Sequence, residues 1–277
     1  MDEAVFESFR TFIYDQTGVT MRRGKEALLR ARIAERMHAL GLEDESAYLR
    51  LVRTDATGDE LRRFINAITT NTTSFFRAPE HFGVLADHAR AWDAGGGGRY
   101  RVWCAASSTG EEPWSIAMVL ARWVPEWARR DVKVLATDID TDVLAEAKAA
   151  RYRDAAVASV PADYRARFLT PAGADEAGNV QAVRPDLRAM VSFARLNLVR
   201  FPYPMAGPFD VIFCRNVLIY FDNDTRLRVL SAMIQLLDPR GLLILGPSES
   251  AMGLDHLVRR TTDSVYVPRE RGQTWTG

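Results

Sequence analysis

Cysteine and histidine are scarce in this 277-residue chain, and no apolar run is long. Only Cys104 and Cys214 are present, each inside an apolar stretch (RVWCAA, DVIFCRN) that reads as a buried strand. A disulfide framework is therefore not expected, and reduced thiols packing as small hydrophobes are. The four histidines, His38, His81, His88 and His256, have no metal-ligand spacing, so no metal is predicted. Nothing approaches the roughly 18 uninterrupted apolar residues a membrane span needs, and membrane insertion is not expected. The opening MDEAVFESFR is acidic and carries no basic segment followed by an apolar one, as a secretory signal would, so a cytoplasmic location is expected. Net charge is absent too: 36 Lys plus Arg balance 36 Asp plus Glu, which argues against a nucleic-acid binder acting through bulk positive charge.

What is present falls into two textures. Residues 1–75 read as helices only (FESFRTFIYDQTG, KEALLRARIAERMHALGL, ESAYLRLVR, DELRRFINAI). From Tyr100 short apolar runs alternate with helical patterns: YRVWCAA, PWSIAMVLARWV, VKVLATD, TDVLAEAKAA, FDVIFC, TRLRVLSAMIQLLD, GLLILG and SVYVP. That alternation predicts an α/β domain over 76–277, a largely parallel sheet with helices on both faces. Residues 153–190 break the rhythm with Pro161, Pro171, Gly173, Gly178 and Pro185 around the β-like pieces NVQAV and MVSFARL, which reads as a small inserted β-subdomain. Gly95 to Gly98 precede the first strand, so they read as a connection and not as a phosphate loop.

Ligands of open α/β sheets bind beyond the carboxyl ends of the strands. After the first predicted strand comes Ala106-Ser107-Ser108-Thr109-Gly110-Glu111-Glu112, which is not the GxGxxG of a dinucleotide site. Its two acids suit a positive or hydroxyl-rich ligand, or simply a helix dipole. After the second strand, Asp138 is the candidate acceptor for ribose hydroxyls, and Asp140 suits helix capping. After FDVIFC, Arg215-Asn216 follow a buried run and need partners, while Tyr220 suits either the site or the core. Upstream, NTTSFFR (Asn71 to Arg77) is either part of the site or a capping turn.

Residues 22–36 hold six cations (Arg22, Arg23, Lys25, Arg30, Arg32, Arg36) against Glu26 and Glu35. At about 100° per residue, Lys25, Arg32 and Arg36 share a stripe beside Leu29, Ile33, Met37 and Leu40. Such a stripe suits an acidic protein partner, or is a solvated face.

Taken together, NTTSFFR, AASSTGEEPWSIAM, ATDID, FPYPMAGPFDVIFCRNVLIYF and LLILGPSES, in this order and spacing, resemble the chemotaxis receptor methyltransferase family, CheR. The resemblance covers nearly the whole chain. It implies a Rossmann-like class I methyltransferase domain with an inserted β-subdomain, an all-helical N-terminal domain, and S-adenosylmethionine as donor with S-adenosylhomocysteine as product. It implies transfer to glutamate side chains on the cytoplasmic methylation helices of chemoreceptors. Carried onto matching positions, the donor-binding set is Asn71, Thr73, Arg77, Glu112, Asp138, Asn197, Leu198, Arg215 and Asn216, with Arg77 and Tyr220 beside the transferred methyl. With such a substrate, the stripe of Lys25, Arg32 and Arg36, read from helical spacing and charge, suits the acidic methylation helices of a receptor. Where the family often has Gly-His-Ser-Glu, this chain reads Gly246-Pro247-Ser248-Glu249, so no histidine acts there. Competing readings are the same donor with another acceptor, a nicotinamide-dependent oxidoreductase, disfavoured by the missing glycine fingerprint, and a donor-binding signalling module without activity.

Overall fold

The computed structural model describes residues 1–176 and 178–269; positions 270–277 of the expected α/β domain lie outside the described residues. The chain begins with four helices: α1 (Glu3–Thr17), α2 (Glu26–Ala39), α3 (Glu45–Thr54) and α4 (Asp59–Ile68). Local chemistry sets their ends. The Asp2 carboxylate accepts the Val5 N–H to open α1, and Gly18, at φ 72°, donates its N–H to Tyr14 O to close it. Asp44 caps α3 the same way. Apolar residues at helical spacing, Phe6, Phe9 and Ile13 of α1 and Leu29, Ile33 and Met37 of α2, are buried in one core around Phe64. Phe9, Phe12 and Tyr48 surround the Phe64 ring at 5.9, 5.9 and 6.2 Å between centroids.

The second region follows the order α5 (Glu80–Ala94), β1 (Arg99–Ala105), α6 (Glu111–Trp123), β2 (Asp131–Asp138), α7 (Thr141–Ala149), β3 (Arg151–Arg153), α8 (Asp154–Val157), α9 (Ala162–Phe168), β4 (Leu169–Asp175), β5 (Gly178–Val183), α10 (Pro185–Arg188), β6 (Val191–Arg195), β7 (Phe209–Cys214), α11 (Asn223–Gln235), β8 (Leu237–Leu245), β9 (Val258–Thr262) and β10 (Val265–Pro268). Seven strands form one sheet in the order β6-β2-β1-β7-β8-β10-β9. Neighbours from β6 to β8 run parallel, and β10 is antiparallel to both β8 and β9. Side chains alternate across the sheet: Val102 and Cys104 pack with α5 and α6 on one face, Trp103 and Ala105 with α11 on the other. Burial pushes the Cys104 and Cys214 thiols well above their ordinary range. Both are structural.

The expected insert is a three-stranded antiparallel sheet, β3-β5-β4, between α7 and β6. One piece read with it belongs elsewhere. Val191–Arg195 is β6, which pairs with β2 from Val134 to Asp138 and forms the edge of the main sheet. The insert is pinned toward the strand ends by Tyr152, whose ring meets Phe75 edge-on at 4.9 Å and whose hydroxyl donates to Thr109 O at 2.7 Å.

Direction along the sheet reverses between β2 and β7, on either side of β1. Carboxyl ends that diverge there leave a crevice. The helical region closes it through specific bonds. Val19 bridges Phe221, Thr20 N–H donates to Tyr220 O at 2.8 Å, and Tyr14 Oη donates to Asp222 at 2.6 Å. On the other side Asn66 exchanges two hydrogen bonds with Thr141, at 2.9 and 3.2 Å. Among the described residues no helix is long and apolar enough to cross a membrane.

Candidate active site

A cavity of about 460 Å³ lies between the helical region and the carboxyl ends of β1, β2 and β7. The loop after β1 reaches it through unusual backbone: Ala106 and Ser108 have φ of 69° and 49°, and Gly110 has φ 100° as it opens α6. A Cβ on Gly110 would lie 2.9 Å from the Ala147 backbone, so only glycine fits. Asn216 of the wall, and Phe76 and Ala78 on either side of the lining residue Arg77, also take positive φ (58°, 52° and 54°).

The two acids in the loop after β1 have separate fates. Glu111 accepts the Thr109 hydroxyl at 2.7 Å and is not part of the wall. Glu112 faces the cavity, where its Oε2 takes Arg215 Nη1 at 2.7 Å and its Oε1 takes the Cys104 thiol at 3.3 Å. Burial raises the Glu112 carboxyl, and the Arg215 guanidinium counteracts it. Arg215 also donates to Arg77 O at 2.5 Å, while its buried Nε finds no partner among the described residues.

Asp138 and Asp140 likewise divide the work. Asp140 Oδ1 caps α7 through the Asp142 and Val143 N–H groups, and its Oδ2 accepts Thr69 Oγ1 at 2.6 Å and Asn71 Nδ2 at 2.8 Å. Asp138 is 8% exposed and accepts Ser108 N–H at 2.8 Å and Asp140 N–H at 3.0 Å. Its burial raises the carboxyl above the ordinary range. A carboxylate offers about four lone-pair positions, more than these N–H groups fill.

Of the residues expected at a site, Lys25, Arg32, Asn71, Thr73, Arg77, Glu112, Asp138, Asn197, Leu198, Arg215, Asn216 and Tyr220 all line this one cavity. Arg36 does not. Its guanidinium holds Glu60 at 3.0 and 2.6 Å, and the Tyr48 hydroxyl donates to the same carboxylate at 3.0 Å. That network is internal to the helical region, so the expected three-residue stripe shrinks. Arg32 is half committed: it donates to Ile68 O, to Thr69 O at 2.8 Å and to Thr70 Oγ1 at 2.7 Å, closing the end of α4. Asn71 and Asn197 line the wall while bonding within the protein, Asn197 to Gln16 O at 2.8 Å. Arg77 is exposed and donates to Thr72 O at 3.2 Å. The Tyr220 hydroxyl, on the cavity wall, has no hydrogen-bond partner among the described residues.

Further wall residues are Thr20, Met21 and Leu28, from stretches without a motif, and Ser108, Ile139 and Ile219, which lie within quoted motifs without having been singled out. Only their neighbourhood to motif residues could have flagged them. The chemistry of the wall fits S-adenosylmethionine. The carboxyl groups of Glu112 and Asp138 complement a positive charge and hydroxyl groups, and Ile139, Leu196 and Leu198 supply an apolar surface.

Residues 71–267 match the family described as CheR methyltransferase, SAM binding domain, and residues 4–69 match CheR methyltransferase, all-alpha domain. The chemotaxis protein methyltransferase of Escherichia coli (strain K12) is 42% identical over 270 residues, covering 96% of this chain and 91% of that protein. That of Salmonella typhimurium (strain LT2) is 39% identical over 275 residues, with the same coverages of 96% and 91%. Chemotaxis protein methyltransferase 2 of Pseudomonas aeruginosa (strain PAO1) is 38% identical, covering 95% and 92%. Fold, site and matches together define an S-adenosylmethionine-dependent methyltransferase acting in chemotaxis. The chain belongs to the CheR family.

Proposed function

We propose that the acceptor is a glutamate side chain on the cytoplasmic methylation helices of chemoreceptors, which becomes a methyl ester. The observation that carries this reading is the division of charge within one cavity. Its buried end holds Glu112 and Asp138, with the one buried cation, Arg215, paired to Glu112, whereas its rim holds Arg22, Lys25, Arg32 and Arg77 and no acid among the described residues. A cationic donor suits the first and an anionic acceptor the second.

The bound donor supplies a methyl group on a sulfonium. A glutamate carboxylate, with an ordinary pKa of about 4.3, is already a nucleophile at neutral pH. No general base is needed. The protein's own task is alignment and exclusion of water. Asp138 accepts the donor's hydroxyls, and Glu112, held by Arg215, faces its positive charge. Arg77, exposed and lining the cavity with one bond to Thr72 O, orients the incoming carboxylate. Tyr220 presents an unspent hydroxyl beside it. Leu28 and Ile219, 43% and 53% exposed, give the rim apolar surface for a helix to lie on.

Radiolabelled S-adenosylmethionine and receptor-containing membranes test the reading. After mild base, a carboxyl methyl ester releases volatile labelled methanol, and that release should depend on the protein. Label that enters the receptor and withstands base would assign a different acceptor atom.

A further inference from the structure

The segment after β8 carries a buried carboxylate that pairs with no cation among the described residues. Glu249 is 7% exposed and accepts three backbone N–H groups. Its Oε2 takes Gly246 at 2.7 Å and Asn216 at 2.8 Å, and its Oε1 takes Leu218 at 2.8 Å. Buried polar groups are retained only when such bonds compensate the loss of water.

Two of those donors belong to a different part of the chain, the loop after β7. That loop needs outside support. Asn216 sits at φ 58°, in the left-handed region that glycine and asparagine enter more readily than other residues, and Leu218–Tyr220 form a single tight helical turn. Arg215, Asn216 and Tyr220, all cavity residues, hang on this backbone. Gly246 completes the arrangement. A Cβ there would lie 2.5 Å from Glu249 Oε2 and 3.0 Å from Asn216 N, so the carboxylate and the loop fill the space a side chain would take.

We infer that Glu249 is a positioning residue for methyl transfer: by gripping Asn216 and Leu218 from β8's side of the sheet, it fixes the loop that aims Arg215 and Asn216 at the donor and Tyr220 at the rim. It touches no reacting atom. The inference rests on the donor site at the strand ends and not on the identity of the acceptor.

Glu249→Gln keeps the volume but turns one acceptor oxygen into an NH₂ facing an N–H donor. Calorimetric titration with S-adenosylhomocysteine, well below the variant's melting temperature, should show affinity reduced roughly tenfold. Gly246→Ala displaces the same carboxylate without removing it and should give a loss of the same kind. The two losses should not multiply in the double variant, because both act on one contact. A contribution confined to holding the fold together would lower the melting temperature of Glu249→Gln and leave the affinity of the folded protein unchanged. That result, or fully multiplicative losses, overturns the inference. Since the readout needs no acceptor, it is independent of whether glutamate is methylated.

Discussion

At the buried end of the cavity, Asp138 and Arg215 are almost wholly enclosed and Glu112's side chain is 12% exposed, each held by a bond of 2.8 Å or less. At the rim, Arg22, Lys25, Leu28 and Arg77 stand in solvent. The difference is one of dielectric as well as position. Desolvated charges interact strongly and leave costly orphans when a partner is removed, whereas exposed charges are screened and act mainly on encounter. The buried end is therefore built to be fixed and the rim to be approached.

Breaking the buried end should have the largest effect. Arg215→Ala strands the Glu112 carboxyl, already raised by burial, without its cation. Removing half of such a pair costs about 3 to 5 kcal/mol, to be read from urea unfolding, with S-adenosylhomocysteine binding lost alongside. A cost below about 1 kcal/mol would mean that the pair is solvated and the contrast between the two ends false.

Asp138→Ala is expected to weaken S-adenosylhomocysteine binding by about 1 to 3 kcal/mol in calorimetry. Some stability goes with it, because Ser108 and Asp140 N–H lose their acceptor. The parent should also bind less well as pH falls. Burial raises the Asp138 carboxyl, so it takes up its proton above the ordinary carboxylate range and stops accepting hydroxyl hydrogens. The sign for folding is opposite. A carboxyl raised in the folded state disfavours folding at high pH, and that penalty vanishes as pH falls through the folded value. Mild acid should thus loosen the donor without Asp138 loosening the fold, and Asp138→Ala should flatten the affinity profile. An equally steep profile in the variant would assign the titration elsewhere.

The smallest effect belongs to the rim. Arg22→Glu with Lys25→Glu should slow receptor methylation several-fold at low salt, with the gap closing as salt is added, and change stability by less than about 0.5 kcal/mol. Parent-like rates across the salt titration would make the rim a solvated face. Arg36 is a contrasting position on the same helix: replacing it breaks the Glu60–Tyr48 network and should be seen in unfolding.

These contrasts mark how far the sequence could be read. Buried parallel strands are continuous apolar runs, so β1, β2, β7 and β8 were legible from RVWCAA, VKVLATD, FDVIFC and GLLILG. Edge strands are not: β6 and β9 are largely exposed, so one was read with the insert and the other, VRRTT, has no apolar signal. Capping chemistry is local, which is why Asp140 could be separated from Asp138. Partners across the fold are not local. Helical spacing put Arg36 with Lys25 and Arg32, but its partner Glu60 lies on α4. Glu249 gave no periodic or motif signal of its own role, because the N–H groups it holds come mostly from another strand's loop.

The bonds of Thr20 to Tyr220 and Tyr14 to Asp222 close one flank of the cavity, and Asn66 with Thr141 closes another. Traffic is then constrained. On the proposed reading, a donor seated innermost beneath a helix lying across the rim has its path blocked by the docked acceptor. Such a geometry would impose an order, with the donor entering first and the spent nucleoside leaving last. S-adenosylhomocysteine would then compete with the donor for the free protein and not with the acceptor, so the ratio of spent to fresh donor would set how much of the protein is ready when an acceptor arrives.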